Sequence, residues 1–377
     1  MNSGKLVLYS SVFAIQGLCN AVIPVLPELS GKGAENSAVA SNLLYSGYFV
    51  GAFLSLFPFG LLADRLGKRK IAGLGVLLTT LSGLSIFVSD SLWVLVASRF
   101  VEGLGCGAFF PAAFSMLAEG KDSQKNLGEF NFLLNAGLAA GVFFAGVLAE
   151  FGVKTTIGIF TFLAGLSLTL FFLKIVESSE KISNTKEEQK KIQKTFFLSE
   201  LKAQLEKARE VLFNNQFLKI WGTSVLLYGA TGLITASYPD YSSGFLTKPE
   251  LGLAIAASYL AAMLGSLAAG KVKIKSKYII RTGITLAIAG VLLSVKFPII
   301  AFSLIGAGGG ITLVGLVTAV SRINSSGITM GLFNTGIYAG LGFVPIFGSF
   351  FLGGLGYEEV FLGSALALFM ILFLGPE

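Results

Sequence analysis

The chain has 377 residues, 54% of them apolar and 13% charged, with a net charge of +7 and no histidine. Soluble domains carry about 25% charged residues, so this chain has too little polar surface to coat a globule in water, and its long apolar runs place it in a lipid bilayer. The missing histidine removes imidazole proton relays, Ser-His-Asp catalysis and most zinc chemistry, so no catalytic centre, metal site or cofactor is expected.

Apolar stretches of about 20 residues, each long enough to cross the membrane, recur twelve times and predict an all-α membrane protein. They lie near 6–27, 39–62, 71–89, 91–118, 127–149, 154–176, 217–239, 250–270, 278–296, 298–320, 327–351 and 357–375. The first opens close to Met1, presents Gln16 and Asn20 on one face, and closes in Pro24-Val25-Leu26-Pro27. It has no small-residue cleavage site and reads as a retained helix. The second carries Tyr45 and runs into a tight knot of charge, Gly60 to Lys70, where Asp64, Arg65, Lys68, Arg69 and Lys70 stand between two bilayer-length runs. Gly60 and Gly67 suit a tight hairpin there, at the membrane surface. Its basic residues also obey the rule that short cytoplasmic loops retain lysine and arginine, and they suit anionic lipid.

The fourth span holds Arg99 and Glu102, three residues apart on one face. Counting about 1.5 Å per residue from Leu92 puts Glu102 roughly 15 Å deep in a core about 30 Å thick. A titratable group at that depth faces a cavity or a partner, and a static pair that satisfies itself is the plainer alternative. Cys19 and Cys106 both fall inside spans and read as small buried residues, not as a disulfide. The run Gly103 to Ala108 imitates a dinucleotide loop inside a helix, which makes it helix packing. The fifth span sets Asn131 and Asn135 on one face and continues through Gly137, Gly141 and Gly146.

A polar stretch, 177–215, then divides the chain into predicted six-helix bundles of residues 1–176 and 216–377. Within it Leu198, Leu201, Leu205, Ala208 and Leu212 recur every three or four residues opposite a charged face, which describes an amphipathic helix on the membrane surface or, alternatively, a docking site. The seventh span carries Tyr228 and the eighth Tyr259. Gly265 to Lys271 has phosphate-loop spacing, but Val272 stands where Ser or Thr would hold magnesium, so no ATP site is credible. Lys271, Lys273, Lys275 and Lys277 after the eighth span mirror the charged run after the second, without its acid and second glycine. The ninth and tenth spans divide at Lys296-Phe297-Pro298, and the eleventh pairs Asn334 with Tyr338 on one face.

Twelve spans put both termini on one side. With that side cytoplasmic, the outer loops keep only Lys32, Lys154, Lys248 and Lys296, so the basic charge is a topology signature and calls for no nucleic-acid partner. Glu28, Asp240, Glu358 and Glu359 fall at outer ends, where solvation makes them ordinary.

Gly60, Asp64, Arg65, Gly67, Lys68 and Arg69 resemble the signature that major facilitator superfamily transporters carry between their second and third helices, and the architectural resemblance covers the whole chain. Leu95, Arg99, Gly103 and Gly105 look like the family's second motif. Gly137, Gly141, Ala145 and Gly146 look like its antiporter motif, with Val142 where that motif has proline and Ala145 in place of a glycine. Pro24-Val25-Leu26-Pro27 is similar to a pattern of twelve-helix drug and proton antiporters. The resemblance implies a cytoplasmic gate at Asp64, held against the positive end of a helix in the other half. It also makes Gln16, Asn20, Tyr45, Asn131, Asn135, Tyr228, Tyr259, Asn334 and Tyr338 candidates for a substrate cavity, with plain interhelical hydrogen bonding as the alternative. Relatives commonly have an amide where Glu102 stands, so its role in proton coupling beside Arg99 rests on depth and on the missing histidines.

The leading expectation is a proton-coupled exporter of amphipathic small molecules, monomeric in the plasma membrane. An importer or facilitator of a neutral metabolite is the second, and a membrane-embedded enzyme is disfavoured.

Overall fold

A computed structural model describes residues 3–31, 37–118, 122–179, 206–324 and 327–374. In chain order the long helices are α1 Ser3–Ala21, α2 Ser37–Leu66, α3 Lys68–Val88, α4 Leu92–Ala118, α5 Ser123–Leu148 and α6 Thr155–Ser179. They are followed by α7 Asn215–Tyr241, α8 Lys248–Lys271, α9 Ser276–Leu293, α10 Pro298–Ile323, α11 Gly327–Leu355 and α12 Tyr357–Leu374. Among the described residues eleven helical segments are long and apolar enough to cross a membrane, and α12 adds an apolar helix of 18 residues. A short helix, Leu26–Ser30, caps the end of α1.

Local chemistry fixes the breaks. Pro298 opens α10, where its missing N–H costs nothing, and thereby ends the ambiguity between the ninth and tenth spans. Gly67 alone makes the turn between α2 and α3, with φ of 96° that a side chain would strain. The hairpin expected across Gly60 to Lys70 is therefore shorter than the sequence suggested. Helix-forming Leu61, Leu62 and Ala63 carry α2 through to Leu66, with Arg65 in its last turn where the helix dipole favours a cation.

The two bundles are related by adding six to each helix label. In the first, α2 packs on α4, α4 on α3 and α1 on α5, while α6 lies against α3 and α1. In the second, α8 packs on α10, α10 on α9 and α7 on α11, while α12 lies against α9 and α7. The bundles meet along two seams, α5 with α8 and α2 with α11, which the same operation exchanges. Both nucleotide-like glycine runs lie in helices and serve close packing: a Cβ on Gly103 would come within 2.0 Å of the Tyr48 carbonyl oxygen, and one on Gly265 within 2.8 Å of that of Ala307.

Most of the predicted amphipathic helix, including Leu198, Leu201 and Leu205, lies outside the described residues. Residues 206–212 are helical, with Ala208 buried as expected. Leu212 is not on the packed face. It is 39% exposed, and Val211, which joins the apolar core at the foot of α7, takes its place.

Candidate functional site

A cavity of about 1500 Å³ lies between the bundles, walled by α1, α2, α4 and α5 on one side and α7, α8, α10 and α11 on the other. Asn20, Tyr45 and Phe302 at one end are almost wholly buried, whereas Asp64, Gly128 and Asn131 at the other end are exposed. The structure thus opens at the Asp64 end and is shut at the end bearing Lys248.

All nine residues expected around a substrate path line this cavity: Gln16, Asn20, Tyr45, Asn131, Asn135, Tyr228, Tyr259, Asn334 and Tyr338. Several are held by their own surroundings. Asn131 and Asn135 donate to the carbonyls of Leu127 and Asn131 one turn back, and Asn20 donates across to Leu138. Sequence reasoning missed Thr231, Thr235, Ser258 and Ser266, which also line the wall. Their signal was available, since Thr231 and Thr235 follow Tyr228 at helical spacing and Ser258 and Ser266 lie two turns apart on α8. Among the described lining residues Asp64 is the one carboxylate, and there is no lysine or arginine.

The shut end is closed by direct contacts between bundles. Lys248 Nζ donates to Glu28 Oε2 and to the Pro24 carbonyl, both at 2.8 Å. Ser37 donates to Asp240 Oδ1 at 3.4 Å, and Asn42 donates to Ser237 at 3.0 Å. Beneath them α5 and α8 touch through glycines, where a Cβ on Gly146 would lie 2.4 Å from the Lys248 carbonyl oxygen. Glu28 and Asp240 are therefore not ordinary solvated carboxylates, as their outer position had suggested. The sequence places their partners more than 190 residues away, where local reasoning cannot see them. Glu358 accepts from the Tyr241 hydroxyl at 3.1 Å.

Arg99 and Glu102 form an ion pair of 2.5 Å with both side chains essentially buried. Arg99 also donates to the Leu44 carbonyl at 3.2 Å and lies 5.1 Å from the centre of the Tyr48 ring, with Cys19 sulfur 4.0 Å from its third nitrogen. Neither member of the pair lines the cavity. Cys19 and Tyr48 do, so the pair sits one side chain behind the wall. Glu102 Oε1 is buried without a hydrogen-bond partner. Both cysteines are free, and Cys106 sulfur lies 3.7 Å from the Tyr338 hydroxyl across the seam.

The gate-motif residues cluster at the open end: Asp64, Arg65, Gly67 and Arg69 are exposed, and Lys68 is half-buried. No hydrogen-bond or ion-pair partner of Asp64 occurs among the described residues; residues 325 and 326, just ahead of α11 in the second bundle, lie outside them. Of the antiporter-like glycines, Gly137 and Gly141 let α5 approach α1 within the first bundle, and Gly146 lets it approach α8 in the second. No group of three or more metal-ligating side chains occurs among the described residues.

Two pseudo-symmetric six-helix bundles surround a central cavity open to one end, and the Major Facilitator Superfamily profile matches residues 8–246, so the chain belongs to that superfamily of transporters. It is a multi-pass membrane transporter and not an enzyme. Among known proteins, it is 31% identical over 181 residues to quinolone resistance protein NorA of Staphylococcus aureus, a match covering 47% of this chain and 45% of that one. It is 33% identical over 140 residues to quinolone resistance protein NorB of the same organism, covering 36% and 28%. The chain thus matches less than half the length of these curated relatives. In fold it is similar to a mutant of the nucleoside transporter NupG, with a TM-score of 0.75 at 14% identity over 98% of each chain. A bacterial homologue of the human lysosomal transporter Spinster, solved inward-facing and unoccupied, gives 0.73 at 12% identity over 99% of this chain and 94% of that one.

Proposed function

We propose that this transporter exports amphipathic small molecules in exchange for protons by alternating access, as a monomer in the plasma membrane. The observation that carries the reading is the composition of the cavity wall, rich in phenols, phenyl rings and amides, and free of cationic side chains among the described residues. Such a wall binds aromatic, neutral or weakly cationic solutes by stacking and amide hydrogen bonds, and lacks the arginines that phosphorylated substrates require. The names of NorA and NorB, as quinolone resistance proteins, point the same way. With the lysine-rich loops inside, both termini, the 177–215 linker and the open end face the cytoplasm, and residues 1–176 and 216–377 are the two moving bundles. Labelling at Lys190→Cys from inside only, in oriented vesicles, is the expected result for that topology.

Proton coupling falls to Glu102 with Arg99. A buried carboxylate with one oxygen unpartnered is costly as an anion and gains from a proton when its ion pair loosens. Tyr48 and Cys19 screen the pair from the cavity, so a movement of Tyr48 hydrates it. The deciding experiment is transport of a quinolone and of a lipophilic cationic dye in proteoliposomes with an imposed pH gradient. Accumulation against the solute gradient, abolished by collapsing the pH gradient, is expected; equilibration only, indifferent to pH, would replace the reading with a facilitator of neutral solutes. The screening of Glu102 from the cavity is the observation that favours this second reading.

A further inference from the structure

Among the described residues Lys248 is the cation that joins the two bundles at the shut end. It starts α8 in the second bundle and reaches across to Glu28 and the Pro24 carbonyl of the first. A second carboxylate stands within its electrostatic range: Asp240, at the end of α7 and so in the bundle of Lys248 itself. Asp240 accepts from Ser37 through Oδ1; Ser41 also stands beside its carboxylate but directs its hydroxyl to Ser30, so Oδ2 is buried without a well-formed hydrogen bond. The remaining ionisable neighbours among the described residues are engaged elsewhere or neutral. Glu250 closes the capping box of α8 with Thr247, Glu358 accepts from Tyr241, and Tyr357 packs its ring near that of Tyr241. Lys32 and Glu35 lie outside the described residues.

When the bundles rock so that this end opens, the Lys248–Glu28 contact must break, because its partners belong to different bundles. Partial solvation lets the pair break, but a lysine stripped of its partner in a half-buried crevice is still costly, so a second carboxylate within reach lowers the cost of opening. We propose that Asp240 is the second station of a two-station bolt: Lys248 holds Glu28 while this end is shut and transfers to the spare oxygen of Asp240 when it opens. The two acids around one lysine then act in opposite directions. Glu28 stabilises the shut state, and Asp240, losing its Ser37 contact and gaining the lysine, stabilises the open one. This holds whichever side of the membrane the Lys248 end faces.

The test places a reporter, Ser258→Cys, on the cavity wall of a chain carrying Cys19→Ala and Cys106→Ala, and measures its reaction with a membrane-impermeant maleimide supplied to the Lys248 face. Phe245→Cys, 52% exposed beside Lys248, identifies that face. Glu28→Gln is expected to raise the labelling rate roughly fivefold and Asp240→Asn to lower it roughly threefold. The exchanged pair Glu28→Lys with Lys248→Glu restores the shut contact but sets Glu against Asp240, so it should label more slowly than the parent. A rise in labelling for Asp240→Asn comparable with that for Glu28→Gln would overturn the proposal and make Asp240 a second clasp through Ser37. Unchanged labelling in all three variants, each running as a sharp symmetric peak in size exclusion, would show that Lys248 bolts nothing.

Discussion

The Arg99–Glu102 pair and the Lys248–Glu28 pair are similar in chemistry and opposite in setting. The first spans 2.5 Å within one helix, with side chains 1% and 0% exposed. The second spans 2.8 Å between the bundles, with side chains 25% and 16% exposed. A pair confined to one helix travels with its bundle, so rocking cannot pull it apart and only hydration or a proton changes it. Under the alternating access proposed above, a pair that joins bundles must break in every cycle, and it has to be weak enough to do so. Partial solvation supplies that weakness. Position relative to the bundle boundary, more than strength, thus separates a charge pair fit for coupling from one fit for gating.

The largest effect is expected where the pair inside the bundle loses its cation. Arg99→Ala leaves a carboxylate buried and unpaired, at a cost of about 3–5 kcal/mol, and should lower the thermal unfolding midpoint sharply while abolishing transport. A midpoint within a degree of the parent would show that Glu102 is already neutral in the folded protein. Glu102→Gln is next. It keeps a hydrogen-bond acceptor for Arg99 and removes the titration, so substrate-induced proton movement in proteoliposomes should vanish while substrate binding stays within about twofold. Undiminished proton movement would transfer coupling to Asp64 or to Glu129, which accepts from Tyr9 at 2.8 Å near the start of α5.

Two glycines carry the same contrast without charge. A Cβ on Gly141 would lie 2.2 Å from the Gly17 carbonyl oxygen within the first bundle, and one on Gly146 would press on Lys248 and Gly252 in the second. Gly141→Ala should destabilise the protein by about 1–3 kcal/mol in unfolding measurements, since α1 and α5 have no alternative arrangement. Gly146→Ala should spare unfolding and instead favour opening of the Lys248 end, read by the same cysteine labelling. Equal losses of stability would mean that the seam is as rigid as the bundle interior.

The sequence made the twelve spans legible because a bilayer demands about 20 apolar residues from each, a constraint any single helix displays alone. The cavity wall was legible for a related reason. An amide or phenol repeated one turn apart in a membrane helix needs a polar neighbour, and Gln16 with Asn20, or Asn334 with Tyr338, displays that need locally. The gate at the shut end was not legible, because Glu28, Asp240 and Lys248 look like ordinary solvated charges until the bundles bring together residues 220 apart. Nor did helical depth reveal that Tyr48 and Cys19 stand between Glu102 and the cavity.

Asp64 tests the open end. With no partner among the described residues, its charge is expected to matter most in the opposite state, where the bundles close over it. Asp64→Asn should therefore leave unfolding unchanged and slow transport severalfold, with accessibility shifted toward the conformation seen here. Transport at the parent rate would remove the latch.

The smallest effect is expected at a third pair, which shares the short distance and lacks the setting. Lys154 Nζ lies 2.6 Å from both Asp90 Oδ1 and the Ser89 carbonyl oxygen, joining the loop after α3 to the one before α6. Both partners belong to the first bundle, so the contact neither forms nor breaks as the bundles rock. Asp90 is 93% exposed, and water replaces the lysine at little cost. Asp90→Asn also leaves Lys154 its backbone acceptor at Ser89. Neither unfolding, transport nor labelling through the Lys248 face should change measurably, in contrast to Glu28→Gln, which removes one carboxylate from an ion pair of similar length. If Asp90→Asn instead raised labelling as much as Glu28→Gln, net charge at that end would control the gate, and the bundle boundary would lose its significance.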